Sequence, residues 1–153
     1  MSVQFHKDFR EFISALNNNN VEYILVGGYS VNLHGYMRSN GDMDIWVNQT
    51  KENYKQIVAA FKEFGMPVFD MTENNFLNKT KFDVFSFGVS PVSIDFMLEV
   101  KGLIFSDAYK NSFVQINDGL NIRVISKDDL IKAKLASGRP RDLDDIDKLR
   151  GNE

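Results

Sequence analysis

The sequence predicts an α+β fold in which helices flank a small mixed β-sheet. Short apolar runs bounded by turn residues alternate along the chain with stretches of helical period, which is typical of this class. One run, "VEYILV", leads into a Gly-Gly pair, and another, "DMDIWV", alternates apolar and polar residues as a half-buried strand does. The length of 153 residues suits one domain over residues 1–153, with helices from about residue 127 packing on the sheet.

The first half of the chain predicts three helices and two strands. Thr50 is a suitable N-cap for the third helix, and Gly65 is a suitable C-terminal stop. Residues 66–81 are polar and are predicted to form a loop with a helical turn. The elements before this loop are predicted as a helix over residues 5–16, a strand over 21–26, a short helix over 29–34, a strand over 42–47 and a helix over 51–64.

The second half of the chain predicts two pairs of strands followed by two helices. "FDVFSFG" and "VSIDFMLEV" are predicted as strands joined around residues 88–91, and "SFVQI" and "LNIRVI" as a hairpin around residues 117–119. Ser126 begins a capping box for a helix that ends at Gly138. Pro140 opens a last helix, whose predicted buried stripe is Leu143, Ile146 and Leu149.

The composition excludes several classes of protein. The net charge is -3 and no long basic run occurs, which argues against a protein that coats nucleic acid but is compatible with a local basic cleft. There is no Cys, so disulfides, thiolate metal sites and Cys nucleophiles are excluded. The sequence contains neither an apolar run of about 18 residues nor a secretory leader, so we expect a cytoplasmic domain with no membrane partner.

Two aspartates share one face of a predicted strand. Asp42 and Asp44 lie two positions apart, so their Cα atoms are roughly 6.5–7 Å apart on the same side. Without a partner, these like charges destabilise the strand and raise a carboxyl pKa. Both residues are explained either by a solvated strand end or by a bound divalent cation, because Mg²⁺ accepts carboxylate oxygens while it keeps several waters.

A third aspartate lies in another predicted strand. In "VSIDFMLEV" the apolar residues form one face, so Asp95 points to the opposite face. An aspartate there faces water, a donor or a metal, because an unpartnered buried charge is costly. If this strand lies beside "DMDIWV", the carboxylates of Asp42, Asp44 and Asp95 converge. Such a set suits two metal ions about 3.5–4 Å apart, and Asp95 could also accept a proton.

The Gly-Gly pair follows a strand and precedes a helix. Gly27 and Gly28 therefore expose backbone N–H groups at a helix start, which favours phosphate. A tight connection with no ligand explains the same residues. Ser30 offers a hydroxyl that would either donate to a phosphate or cap the helix.

These motifs in this order resemble the nucleotidyltransferase superfamily, which has the DNA polymerase β-like fold. The relevant features are the Gly-Gly turn with a Ser after it, the D-x-D strand and the later "SID" strand. The string "GGYSVNLHGYMRSNGDMDIWV" and the tail "VISKDDLIKAKLASGRPRDLDDIDKLR" are similar to a small bacterial branch that contains AbiEii-like toxins and related nucleotidyltransferases. The resemblance covers most of residues 21–150. One departure is Asn40, where the branch often has Thr.

The resemblance implies transfer of a nucleoside monophosphate from an NTP, such as ATP, to a hydroxyl acceptor, with release of pyrophosphate. It implies one or two Mg²⁺ ions, with Mn²⁺ as a substitute. The residues that match the family motifs are Gly27, Gly28 and Ser30 for the triphosphate, Asp42 and Asp44 for the metal, and Asp95 as the third carboxylate and metal ligand.

Other polar residues allow two interpretations each. Arg38 either contacts the nucleotide or pairs with the nearby aspartates. Lys134 either extends its head to water from a buried stripe or, as the resemblance suggests, contacts the triphosphate. His34 is predicted to be structural. The group predicted to anchor the last helix through ion pairs is Arg139, Asp142 and Asp145.

Two other functional classes fit parts of the sequence. The first is a non-catalytic nucleotide-binding module, or a partner in a toxin–antitoxin pair. The second is a glycosyltransferase that uses D-x-D with a sugar nucleotide, but the chain is short for that fold and the Gly-Gly turn would be unexplained. The acceptor is left open between RNA ends, protein hydroxyls and small molecules, and the partner between an antitoxin and a second copy of the chain.

Overall fold

The computed structural model describes residues 5–36, 40–89 and 92–151. Helices and strands alternate along these ranges, as the sequence predicts for an α+β fold. In chain order the elements are α1 (Lys7–Asn18), β1 (Tyr23–Val26), α2 (Gly27–Leu33), β2 (Met43–Val47), α3 (Lys51–Phe64), α4 (Glu73–Leu77), β3 (Val84–Val89), β4 (Val92–Met97), α5 (Phe105–Asn111), β5 (Phe113–Asn117), β6 (Leu120–Val124), α6 (Lys127–Ser137) and α7 (Pro140–Arg150).

The strands form one mixed sheet of six strands in the order β3-β4-β2-β1-β6-β5. Strand β1 is antiparallel to β2 and parallel to β6. Strand β2 is parallel to β4, so the condition for the predicted convergence of the carboxylates is met. The hairpins β3–β4 and β5–β6 complete the sheet at its two sides.

Helices cover both faces of the sheet. Neighbouring residues of a strand point to opposite faces of the sheet, so successive side chains of β2 pack against helices on opposite sides. Met43 and Ile45 pack in a core cluster with residues of α1 and α3, whereas Trp46 packs in a second cluster with residues of α6 and α7. The face of β2 that carries the aspartates is therefore the face on which α6 and α7 pack.

The predicted helix caps and the predicted hairpin turn are present. The Thr50 hydroxyl accepts a hydrogen bond from the Asn53 backbone N–H at 3.1 Å, and Gly65 ends α3 in a left-handed conformation. Asp118 and Gly119 both have positive φ, which is the geometry of a two-residue turn that suits the twist of a hairpin.

Four details of the elements differ from the predictions. Helix α2 begins at Gly27, two residues earlier than predicted, and β4 ends at Met97 rather than near residue 100. The sequence did not predict α5, because this helix is short and buries only Ala108. Leu143 is 49% exposed, so it does not belong to the buried stripe of α7. No helix within the described ranges is both long enough and apolar enough to span a bilayer.

Candidate active site

The pairing of β2 with β4 brings the predicted carboxylates together. Asp44 and Asp95 are direct Cα partners in the parallel register. Asp42 lies just before β2, two residues from Asp44 and therefore on the same side of the sheet. The side chain of Asp42 is exposed, and those of Asp44 and Asp95 are half-buried. The sequence predicted this convergence, and the structure contains it.

Two serines hold the outer carboxylates in place. The Ser86 hydroxyl donates to Asp95 Oδ1 at 2.6 Å, and the Ser93 hydroxyl donates to Asp42 Oδ1. Ser86 lies directly opposite Asp95 in the β3–β4 register. Sequence reasoning missed the role of both serines, because the contacts depend on which strands pair and in which register.

Burial and neighbouring charges raise the pKa of two of the carboxylates. Burial raises the pKa of Asp44 to about 6, with the charges of Asp95 and Asp42 adding to the increase and the cations Lys134 and Arg139 opposing it. Burial also raises the pKa of Asp95, while the hydrogen bond from Ser86 lowers it and the charge of Asp42 raises it. Such a site favours a bound cation, because a cation offsets the repulsion between neighbouring carboxylates.

Gly27 packs directly against one of these carboxylates. It has a φ of +70°, and a Cβ at this position would overlap the Oδ2 atom of Asp44. Only glycine meets both conditions without strain, since it tolerates positive φ and has no side chain. The Gly-Gly turn therefore lies beside the aspartates.

The carboxylates line a cleft with two joined compartments. We call the first the polar compartment; its volume is about 580 Å³, and it contains the three aspartates, Gly27 and Gly28. We call the second the aliphatic compartment; its volume is about 590 Å³. The two compartments share Gly27, Asp44, Lys134 and Arg139, among other residues. The residues that line only the aliphatic compartment include Val26, Val100, Ile125, Leu130 and Ala133.

Ser30 and His34 make internal contacts near the glycine turn. Ser30 is fully buried, and its hydroxyl donates to the Gly27 carbonyl at 2.6 Å. It is not the helix cap, because the N-cap of α2 is Val26, which has no side-chain cap bond. The Nε2 atom of His34 lies 2.9 Å from the Ile125 carbonyl oxygen, and burial lowers the pKa of this histidine. These contacts agree with a structural role for His34.

Lys134 belongs to a buried ion-pair network between α6 and α7. Its Nζ atom lies 3.3 Å from Asp142 Oδ1 and 3.0 Å from Asp145 Oδ2. Arg139 and Ser137 also donate to Asp142, each at 2.7 Å. The predicted ion-pair anchoring of the last helix is confirmed. These pairs explain why α7 buries Asp142 and Asp145 where the apolar pattern had placed Leu143.

The network predicts acid sensitivity. Burial acts to raise the pKa of Asp142, but hydrogen bonds from Arg139 and Ser137 and the charge of Lys134 outweigh it and lower the pKa to about 2. A depressed carboxyl pKa stabilises the fold above the unfolded-state pKa of about 4, and this contribution is lost as the pH falls towards 2. We expect the free energy of unfolding of wild type to be about 2 kcal/mol higher than that of Asp142→Asn at pH 7. Near pH 2 the two proteins should have similar free energies of unfolding.

Urea unfolding of both proteins between pH 7 and pH 2 measures this difference. Asp144→Asn is a matched control, because Asp144 is an exposed residue of the same helix that pairs with the partly exposed Lys148. The control should differ little from wild type at every pH. A wild-type advantage over Asp142→Asn that stays constant down to pH 2 would contradict the assignment.

Arg38 lies outside the described residues, so its predicted nucleotide contact stays a prediction. The other members of the predicted site are all described, and all but Ser30 line the cleft. Sequence reasoning missed four further charged residues of the cleft. These residues are Asp83, Glu99, Lys101 and Arg141.

Comparison with known sequences identifies the family. Residues 6–150 match the family described as "Nucleotidyltransferase of unknown function (DUF6036)". The chain belongs to this nucleotidyltransferase family. The match spans nearly the whole sequence, including the glycine turn, the aspartates and the α6–α7 network. Among curated proteins, none matches the sequence.

Solved structures of nucleotidyltransferases share the fold. The family member is similar to a candidate nucleotidyltransferase (TM1012) from Thermotoga maritima, with a TM-score of 0.64, 18% identity and coverage of 95% of this chain and 91% of that chain. It is also similar to ANT(2″)-Ia, solved in complex with adenylyl-2″-tobramycin, with a TM-score of 0.55, 15% identity and coverage of 92% and 84%. The family match over residues 6–150, together with this shared fold, confirms the resemblance to the superfamily.

The aspartates of the polar compartment are suitable ligands for Mg²⁺. They offer carboxylate oxygens, and Mg²⁺ is usually bound by one or two carboxylates together with substrate phosphates and waters. Within the described part of the chain, no group of three or more His, Asp or Glu side chains is already arranged as a metal cage. A site that takes further ligands from a phosphate substrate does not require such a cage. Asp42 and Asp44 are the residues that would hold the ion.

Proposed function

We propose that this nucleotidyltransferase moves a nucleoside monophosphate from an NTP to a hydroxyl group in a Mg²⁺-dependent reaction. One observation carries the proposal. The parallel register of β2 and β4 sets Asp44 opposite Asp95, with Asp42 beside them, on the wall of a cleft that also contains Gly27. Carboxylates beside a half-buried glycine backbone that lines the same cleft suit a metal-bound triphosphate.

The triphosphate would lie between the glycine turn and the aspartates. Gly27 and Gly28 line the polar compartment and allow close approach of a phosphate to the backbone. Ser30 would act through its hydrogen bond to the Gly27 carbonyl, which holds the turn in shape. Lys134 lines both compartments of the cleft, and we retain Arg38 as a further nucleotide contact. The aliphatic compartment would supply apolar area for the nucleoside.

The reaction would be an in-line displacement at the α-phosphorus. A bond forms between the acceptor oxygen and the α-phosphorus, and the bond to the α,β-bridging oxygen breaks, so pyrophosphate leaves with the electron pair. Asp95 would accept the proton of the acceptor hydroxyl. Ser86 donates to its Oδ1 atom and so orients the carboxyl group, which lies next to Asp44 in the sheet. Bound Mg²⁺ would neutralise the charge of the phosphates and position them.

The charge of the cleft favours some acceptors over others. Asp83 and Glu99 are exposed and line both compartments, in addition to the three aspartates. The cations that line the cleft are Lys101, Lys134, Arg139 and Arg141, so acidic residues still outnumber basic ones in its lining. A negative lining repels the backbone of a nucleic acid. We therefore favour a small molecule or a protein hydroxyl over RNA. ANT(2″)-Ia, which shares the fold, has been solved with an adenylylated small molecule bound.

A pyrophosphate-release assay tests the proposal. Each of the four NTPs is supplied with Mg²⁺ and with fractions that contain small molecules, proteins or RNA. Pyrophosphate release that depends on one NTP and one acceptor fraction would support it. Tight NTP binding by calorimetry without turnover in any fraction would instead favour the non-catalytic nucleotide-binding module.

Mg²⁺ should stabilise the free protein. The ion relieves the repulsion among Asp42, Asp44 and Asp95, and a ligand that binds only the folded state raises the melting temperature. We expect a shift of roughly 2–5 °C at about tenfold excess of Mg²⁺ over its dissociation constant. Differential scanning fluorimetry at constant ionic strength measures it. A shift of equal size in Asp44→Asn would contradict binding at this site.

A further inference from the structure

We infer that Arg139 is the α6–α7 side chain that binds the phosphates of the substrate, and that Lys134 supports it from behind. This inference rests on the proposed function. Both residues line both compartments of the cleft. The two side chains differ in burial, in their ion-pair partners and in the N–H groups that remain available to a ligand. These differences indicate which of them contacts the phosphates.

Lys134 is buried and forms ion pairs inside the protein. It is 7% exposed, and its two partners, Asp142 and Asp145, are almost completely buried. If Nζ moved onto a phosphate, these buried carboxylates would lose their shared cation. Leaving a buried charge without its partner is strongly unfavourable. Direct contact between Lys134 and the triphosphate is therefore opposed by the network that holds α7.

Arg139 is anchored on one side and open on the other. Its Nε donates to Asp142 Oδ2 at 2.7 Å, and its Nη2 donates to Asp142 Oδ1 at 3.4 Å. Within the described ranges, Nη1 has no hydrogen-bond partner, and the side chain is 75% exposed. A guanidinium held this way keeps Nη1 available to a ligand in the cleft that Arg139 lines, without giving up its contacts with Asp142.

The position of Arg139 is also suited to a phosphate held near the aspartates. Arg139 and Asp44 both line both compartments of the cleft, and Asp95 lines the polar compartment with them. A phosphate held at Asp44 would therefore lie in the same cleft as the guanidinium.

The residues of the α6–α7 network have different roles. Asp142 orients Arg139, and Lys134 with Ser137 fixes Asp142. The charges of Lys134 and Arg139 are offset by those of Asp142 and Asp145, so the network supplies directed donors rather than net charge. A planar fork suits this task better than an ammonium group, because it can bond a carboxylate and a phosphate at the same time.

Binding of nucleotides with different numbers of phosphates tests the inference. Calorimetry with Mg²⁺ would compare the α,β-methylene analogues of the four NTPs with the matching monophosphates, for wild type and Arg139→Gln. We expect Arg139→Gln to weaken triphosphate binding about tenfold and to change monophosphate binding less than twofold. Arg139→Lys should fall between the two, because it keeps the charge but loses the fork.

Lys132→Gln is the matched control. Lys132 is an exposed cation of the same helix, α6, and its Nζ atom lies 4.0 Å from Asp129 Oδ1. The control should bind both ligands as wild type does. Equal triphosphate binding by Arg139→Gln and wild type would overturn the inference, as would an equal loss for triphosphate and monophosphate. Absence of NTP binding in wild type would overturn the proposed function and the inference together.

Discussion

Asp44→Asn is expected to lower the rate of nucleotide transfer by on the order of 10³-fold or more. Asp44 pairs with Asp95 across the β2–β4 register and packs against Gly27, so it lies at the centre of the proposed site. An amide is a poor ligand for Mg²⁺, and loss of a metal removes several kcal/mol of transition-state stabilisation. The initial rate of pyrophosphate release, at saturating NTP and acceptor, measures the effect.

The same substitution should stabilise the protein in the absence of divalent ions. Burial raises the pKa of Asp44 to about 6, so at pH 7.5 the carboxyl is ionised in the folded state at a cost. Its raised pKa means that this cost grows as the pH rises from about 4 to 6. Asp44→Asn removes it, and we expect the free energy of unfolding in EDTA to rise by roughly 1–3 kcal/mol.

Opposite changes in activity and stability separate a functional aspartate from a structural one. Asp118→Asn is a suitable control, because Asp118 lies in the β5–β6 turn with a positive φ that Asn also tolerates. The control should leave both quantities close to wild type. If Asp44→Asn kept more than a third of wild-type turnover, the proposed metal site would be wrong.

Lys134→Met is expected to destabilise the protein by about 3–5 kcal/mol. Lys134 is the cation shared by Asp142 and Asp145, and all three residues are buried. Methionine keeps the length of the side chain but leaves the carboxylates without this cation. Urea unfolding at pH 7 measures the loss.

A double substitution tests the cause of this loss. Lys134→Met combined with Asp145→Leu removes a cation and an anion together, so part of the stability should return. Lys132→Met is the control, since Lys132 is exposed on the same helix and should change stability by less than about 0.5 kcal/mol. A loss below about 1 kcal/mol for Lys134→Met would show that the buried pairs do not hold α7.

The carboxylate site was predictable because each aspartate breaks a regular pattern. Asp42 and Asp44 occupy the polar positions of an alternating strand, and Asp95 stands alone on the polar face of another. Alternation assigns a side chain to one face without knowledge of the partner strand. The contacts from Ser86 and Ser93 were not predictable, because they require the register of strands far apart in the chain.

The α6–α7 network was predictable only in outline. The charges near residue 140 indicated ion pairs, but the apolar period placed Leu143 in the core. The structure buries Asp142 and Asp145 instead, because each meets Lys134 across the helix pair. Burial of charge depends on a partner from another element, and a hydrophobic pattern within one helix cannot reveal it. The separate roles inferred for Lys134 and Arg139 depend on the same information.

The most direct test of nucleotide transfer follows the two ends of the NTP. Wild type and Asp44→Asn would be incubated with Mg²⁺, the acceptor fractions and NTPs labelled with ³²P at either the α- or the γ-position. With wild type, we expect the α-label in one acceptor fraction and the γ-label in pyrophosphate. With Asp44→Asn, we expect neither product. Recovery of γ-label as inorganic phosphate or on an acceptor, with α-label remaining in the nucleotide, would contradict it.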